Sequence, residues 1–391
     1  MLSPCQRAEP LLDLLRAEAA ETDFEGGFPE RSIELLRETG LLRAPLPGAQ
    51  GGESLGEAGQ TLELLTTLAA IGRGSLVVGR LYEGHVNALQ LVQRFGTPAQ
   101  CDRAARDAAR GHLFGVWNTE AANGLRLVGE AGHLRFVGSK TFASGLGHVS
   151  RALVTAARDG PSQGWQMILL PTDEQRPRED RAFWKPLGMR ATSSFAADFS
   201  GLEVAPDDLI GAPGDYYREP AFTGGSIRFA AVQQGGAEGV FDETRRCLNA
   251  LGRTGDPFQR ARLGEMAWRI ESGRLWLEGA ARLAASATEG GEAGTADDRA
   301  SADAAANTAA DIERLVAYAR MMRSAIEDNA LHVLELALRS VGARGLLRPE
   351  PFERMHRDLT HYLRQPAPDG ALVEAGRHVL GDSRSAGALW R

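Results

Sequence analysis

The sequence predicts an α+β chain in three consecutive parts: a helical domain over residues 1–113, a small β-barrel or sandwich over 114–216, and a helical bundle over 217–391. Two observations carry this. Apolar residues recur at helical spacing toward both ends, and the period drops to two in between. Length agrees, because 391 residues exceed what one simple core organises, so two or three domains are expected.

In the first part, PLLDLLRAEAAE, PERSIELLRETGLL and the long EAGQTLELLTTLAAIGRGSLVVGRLYEGHVNALQLVQRFG keep Leu, Ile and Val at helical spacing. Pro29 at a helix start and Gly40 after its last turn follow helix grammar. APLPGAQGGESLG then reads as a loop. In the middle, LRLVGEAGHLRFVGSKTFASG, RALVTAARDG, WQMILLP and SFAADFSGLEV read as short strands split by Gly, Asp and Pro turns. In the last part, FDETRRCLNALG, ARLGEMAWRIESGRLWLEGAARLAASA and IERLVAYARMMRSAIEDNALHVLELALRSVG are amphipathic helices suited to a bundle. Between the last two, ATEGGEAGTADDRASADAAANTAAD is small and polar, and is expected to be an extended loop running into the next helix.

Bulk properties narrow the function. A hydrophobic share of 43% with 24% charged residues places the chain among soluble globular proteins. A net charge of −7 spread along the sequence leaves no basic patch, so nucleic acid is not an expected partner. No apolar run approaches the ~20 residues that span a bilayer, so membrane insertion is not expected. Cys5, Cys101 and Cys247 are odd in number and far apart, forming neither a disulfide framework nor a metal-spaced set. The N-terminus, with Leu on one helical face among acids, is unlike a signal peptide, and a cytoplasmic location is expected. His112, His133 and His148 have no ligand spacing.

One segment is more specific. From Phe183 to Gly211, FWKPLGMRATSSFAADFSGLEVAPDDLIG, a Gly-Met-Arg turn leads into small hydroxyl residues, an alternating strand and a Val-Ala-Pro-Asp-Asp-Leu-Ile-Gly exit. That order resembles the end of the central β-domain of the acyl-CoA dehydrogenase family. The resemblance runs from LLRETGLLRAPLPGAQGGESLG to the tail, with its motifs in family order. It implies an N-terminal helical domain, a central β-barrel, a C-terminal helical bundle and FAD as cofactor. It also implies a homodimer or homotetramer acting on a small-molecule acyl substrate, with an electron acceptor or a flavin reductase as partner.

The same resemblance assigns cofactor residues. GVWNTEAANG looks like the family's V-T-E-P-G-A-G-S-D, with Thr119 and Glu120 as its Thr-Glu pair. Donors there would face the N1–O2 edge of an isoalloxazine, which becomes negative on reduction. GSKTFASG resembles G-x-K-x-W-I-T-N-G, so Phe142 takes the place of the Trp beside the flavin and Ser144 that of the Thr whose hydroxyl meets N5. The K-x-F-x-S-G form is closer to the reduced-flavin monooxygenase branch of the fold. LGRTGDPFQRARLGEM looks like E-R-x-x-F-G-x-x-L, placing Arg253 and Phe258 on the FAD tail of a neighbouring subunit, with an inserted Gly-Asp shifting the register. VGARGL keeps Gly342 and Gly345 of a further Gly-rich segment that approaches FAD.

The family's dehydrogenation base is missing. That chemistry needs a Glu carboxylate in a dry pocket. In ERMHRDLTHYLRQPAPDGAL, Arg357 and Asp358 match the family's Arg-Asp pair, and Pro366 stands where the Glu belongs. The other known base position precedes Arg228 and holds Ile227. Arg228 and Arg357 are candidate substrate contacts. Asp369 is a candidate displaced base, or a cap or turn after Pro366 and Pro368. His361, with His356 behind it, is a candidate for proton handling in oxygen chemistry, or a structural His. The expected function is an FAD-dependent acyl-CoA dehydrogenase-type oxidoreductase. The alternatives are a reduced-flavin-dependent monooxygenase and a non-catalytic flavin- or acyl-binding scaffold.

Overall fold

The computed structural model describes residues 2–57, 59–130, 132–158, 164–289, 298–365 and 368–390. Helices come first: α1 (Pro4–Ala8), α2 (Leu12–Glu21), α3 (Glu30–Glu38), α4 (Thr61–Gly74), α5 (Leu76–Phe95) and α6 (Pro98–Ala109). Strands follow: β1 (Phe114–Trp117), β2 (Arg126–Val128), β3 (Leu134–Val137), β4 (Ser139–Ala143), β5 (Arg151–Arg158), β6 (Gly164–Pro171), β7 (Arg178–Asp180), β8 (Phe195–Asp198), β9 (Glu203–Val204) and β10 (Leu209–Ile210). Helices return with α7 (Ala221–Ala250), α8 (Pro257–Glu289), α9 (Asp298–Val341), α10 (Pro351–Tyr362) and α11 (Pro368–Gly381). The changes of periodicity in the sequence thus mark the changes of secondary structure.

These elements gather into two compact units. One comprises 13–55 and 77–221, the other 1–12, 56–76 and 222–391.

In the strand-bearing unit, the main sheet runs β10-β6-β5-β2-β3-β9, and β1 also pairs with β5. Strands β1 and β2 share the same neighbour end to end, Trp117 opposite Val154 and Arg126 opposite Ala157, both parallel. A smaller sheet, β4-β8-β7, is tied to the first by a bridge between Glu120 and Lys140. Its β4–β8 register slips between Lys140 and Ala143, and in that bulge Phe142 adopts a left-handed φ of 53°. The core joins helix to sheet: Ala88, Leu89 and Val92 pack with Phe114, Leu153, Met167 and Ile210. His85 is fully buried beside them. Its Nε2 lies 2.7 Å from the Leu42 carbonyl, and its Nδ1 accepts from the Phe114 N–H at 3.1 Å. Burial lowers that imidazole to about 4, so it stays neutral and serves as a connector.

In the helical unit, α4 and α7 meet backbone to backbone. A Cβ on Gly235 would lie 2.0 Å from the Ala69 carbonyl oxygen, and one on Gly72 would lie 2.6 Å from that of Val232. Gln233 beside them donates to the carbonyls of Tyr362 and Gln365, both at 3.0 Å, and Arg323 donates to that of Leu363 at 3.1 Å. Carbonyls at and just beyond the end of α10 are satisfied in this way.

One expectation is corrected here. The small polar stretch from Ala287 to Asp311 is largely helical where described: α8 runs to Glu289 and α9 starts at Asp298. Alanine's high helix propensity outweighs its lack of an apolar face. The long run through VQRFG is two helices, parted at Ser75, whose backbone is extended.

Candidate flavin site

The segments that resemble the flavin face converge within the strand-bearing unit. Strand β1 ends in Asn118-Thr119-Glu120, and the Thr141 N–H donates to the Thr119 carbonyl at 2.9 Å, laying β4 beside that end. Lys140, wholly buried, reaches across with its Nζ to the Asn118 carbonyl and to the Thr155 hydroxyl, each at 3.1 Å, and to the Glu120 carboxylate. Its charge also lies 5.2 Å from the Trp165 ring centre. Burial pulls the ammonium down to about 7, while contact with a carboxylate acts in the opposite sense. Glu120 spends its second oxygen on the Leu125 N–H at 2.8 Å, closing the Ala-Ala-Asn-Gly turn. Glu120 therefore anchors the strand end, and Thr119 beside it is exposed.

Phe142 is half-buried. Phe183 and Trp184 stand edge-on to it, with ring centres 5.1 and 6.1 Å away. The Trp184 indole is fixed by the Arg190 carbonyl at 2.9 Å. Ser144 follows two residues on. Its N–H donates to the Phe142 carbonyl, and its own carbonyl accepts from the Trp117 indole, both at 2.9 Å. Its hydroxyl lies 2.8 Å from that of Ser194, which lies 2.8 Å from that of Thr192. Two stretches read separately in the sequence, GSKTFASG and Phe183–Gly211, thus form one surface. Thr119, Phe142 and Ser144 are brought together. Asn118, Thr192, Ser194 and Lys140 belong with them and were not singled out; the hydroxyl run after Gly-Met-Arg was the available signal for two of these.

The remaining candidates lie in the helical unit. Arg228 is buried on α7. Arg357 is buried on α10 and doubly bonded to Glu353, at 2.6 and 2.8 Å. His361, one turn further, is half-buried, and burial holds its imidazole below the usual value. The same holds for His356, where burial outweighs the opposing pull of Glu353. Asp369 is exposed in the first turn of α11, the place of an N-terminal helix acid rather than a dry base. Pro366 lies outside the described residues, while Ile227 is buried in α7.

Arg253 is exposed, and Phe258 is 74% exposed in the first turn of α8. The inserted Asp256 explains the local geometry, since its carboxylate caps that helix by accepting from the Phe258 N–H at 2.8 Å. Gly342 is exposed just past α9, with φ 68°. Arg262 donates to the Arg339 carbonyl at 3.1 Å, so the start of α8 and the end of α9 are neighbours.

Helices, a curled sheet and helices again make the acyl-CoA dehydrogenase-like fold, and residues 12–112 match the model of the acyl-CoA dehydrogenase N-terminal domain. The chain is 25% identical to a dibenzothiophene monooxygenase of Mycolicibacterium goodii, over 96% of this chain and 93% of that one. It is 26% identical to SfnC of Pseudomonas putida, described as a probable FMNH2-dependent monooxygenase, over 95% and 93%. Its fold matches that of TdsC from Paenibacillus sp. A11-2, solved with FMN and indole, with a TM-score of 0.82 and 22% identity over 99% and 100% of the two chains.

The expectation of FAD is corrected by these findings, because the similar proteins hold or use FMN. The motifs that implied FAD were the clamp around Arg253 and Phe258 and the Gly-rich turn after Glu120. In the fold, Asp256 redirects the first to helix capping and Glu120 closes the second.

Proposed function

We propose that this chain is a reduced-flavin-dependent monooxygenase that binds FMN and inserts one oxygen atom of O2 into a small heteroatom-bearing substrate. The observation that carries this reading is likeness to monooxygenases over nearly the whole length of the chain. It is supported by the residues: the base positions hold Ile227 and Pro366 rather than carboxylates, which removes the basis for α-proton abstraction. The acyl-CoA dehydrogenation reading gives way on both counts.

The residues of this strand end fit a flavin. A strand end held by Lys140 and Glu120, a flat ring at Phe142 and a buried hydroxyl at Ser144 offer an edge, a face and a polar contact. Reduced FMN supplies the two electrons with which O2 yields one inserted oxygen atom and one water. Thr119 and the neighbouring backbone orient the ring edge. Phe142, with Phe183 and Trp184, forms an aromatic wall suited to an apolar, ring-bearing substrate. A separate flavin reductase delivers the reduced cofactor, and Arg253 and Phe258 serve contacts between subunits.

The test supplies the full-length protein with FMN, NADH, a flavin reductase and isotopically labelled O2, using dibenzothiophene and indole as probes. A product carrying one labelled oxygen, absent when this chain is left out, is expected. An FMN or FAD complex that is bleached anaerobically by an acyl-CoA, with no labelled product, would reverse the assignment.

A further inference from the structure

The three buried hydroxyls behind the flavin face have a fixed polarity. The Thr192 hydroxyl lies 2.9 Å from the Met189 carbonyl, which can only accept, so the single proton of Thr192 is committed there. The contact between Thr192 and Ser194 at 2.8 Å must then be made by the proton of Ser194. The contact between Ser194 and Ser144, also 2.8 Å, must in turn be made by the proton of Ser144. All three residues are buried, so water does not scramble the order. The Ser144 oxygen keeps only lone pairs for anything placed against it.

The surrounding backbone is built to hold this chain. Four non-glycine residues described here have φ in the left-handed region, and three of them, Phe142, Met189 and Ser193, flank the hydroxyls. Such conformations are unfavourable for residues with a Cβ and persist where the surroundings impose them. Ser193 is pinned by donating to the Gly27 carbonyl at 2.9 Å, and the Thr192 carbonyl accepts from the Gly145 N–H at 2.7 Å.

We propose that Thr192 and Ser194 are positioning residues that lock the Ser144 hydroxyl as an acceptor, so that the site selects the N5–H of a reduced flavin over the bare N5 of the oxidised form. The inference rests on the flavin reading above and deepens it, because it gives the protein a redox preference for its ligand before oxygen or substrate arrives. An oxidised flavin presents a lone pair at N5, and two facing acceptors repel. A reduced flavin presents a proton there and completes the chain.

Anaerobic titration of the full-length protein with FMN and with photoreduced FMN gives two dissociation constants, and their ratio is the readout. The wild type is expected to favour the reduced form. Ser194→Ala frees the Ser144 proton to turn toward N5, and Thr192→Val lets Ser194 donate back to Ser144. Each is expected to lower the preference about tenfold, the scale of one hydrogen bond, chiefly through tighter binding of oxidised FMN. Thr192→Ser keeps the donor to Met189 and is expected to retain the wild-type ratio. The two disruptive variants break different links, so either one decides the matter if the other fails to fold. Variants that weaken both forms equally, leaving the ratio unmoved, overturn the inference while the flavin reading stands. A wild-type protein that binds neither form overturns both.

Discussion

His85 has no proton to spare and no room for a second. Its ring joins the Leu42 carbonyl to the Phe114 N–H, and a charged imidazole would have to give up one of those bonds. Because its folded value of about 4 lies below the unfolded 6.5, the unfolded chain binds more protons between those limits. Stability is therefore expected to fall as pH drops from about 6.5 to 4, by about 3 kcal/mol from this residue alone. Urea unfolding across that range checks it, and His85→Gln should flatten the slope. Lys140 offers a second test. Removing its charge with Lys140→Met strands Glu120 and two further oxygens, and should cost about 3 kcal/mol or more. The double variant with Glu120→Leu should cost less than the two single changes added together, read by the same titration.

At the level of elements, the α4–α7 contact depends on the absence of two side chains. Gly235→Ala would push a methyl group into the Ala69 carbonyl and is expected to destabilise by about 1–3 kcal/mol. Gly376→Ala in α11, where an added Cβ meets nothing within 4 Å, should instead stabilise by about 0.5–1 kcal/mol. Thermal unfolding of the two variants should move in opposite directions. This contrast also marks what a lone sequence can reveal. Helical and strand periods exposed most elements, since burial of one face leaves a repeat in the residues. The reason for Gly235 lies in another helix and leaves no local trace. The same is true of β1 and β2, which share one partner strand by virtue of a turn that Glu120 closes.

For the whole molecule, the exposed apolar residues of the helical unit point beyond a single chain. Leu380 is 90% exposed, with Val373 and Leu372 also exposed on α11 and Phe258 on α8. Light scattering of the purified protein is expected to give twice or four times the 41.9 kDa of one chain, and Leu380→Asp to lower that value if α11 lies in the contact. Among the described residues no helix is long and apolar enough to cross a membrane. The proposed flavin face was legible in part. Thr119, Phe142 and Ser144 stood out because their neighbours follow a known order. Lys140 stood inside a quoted motif, yet its role emerges only once β1 and β4 are side by side. The FAD expectation rested in part on the Arg253–Phe258 motif, where a Gly-Asp insertion at Gly255 and Asp256 looks like a disturbed clamp until Asp256 is seen capping α8.

Trp117 gives this arrangement an optical consequence. Its indole is buried and bonded to the Ser144 carbonyl, so one of the chain's six tryptophans sits directly behind the proposed flavin face as a natural fluorophore. Arrival of an isoalloxazine should quench its emission by energy transfer, together with that of Trp165 and Trp184 nearby, and Trp117→Phe should remove its own share of that signal. Ligand occupancy can then be followed in real time, without any label, in the same cuvette that reports the redox state of the cofactor.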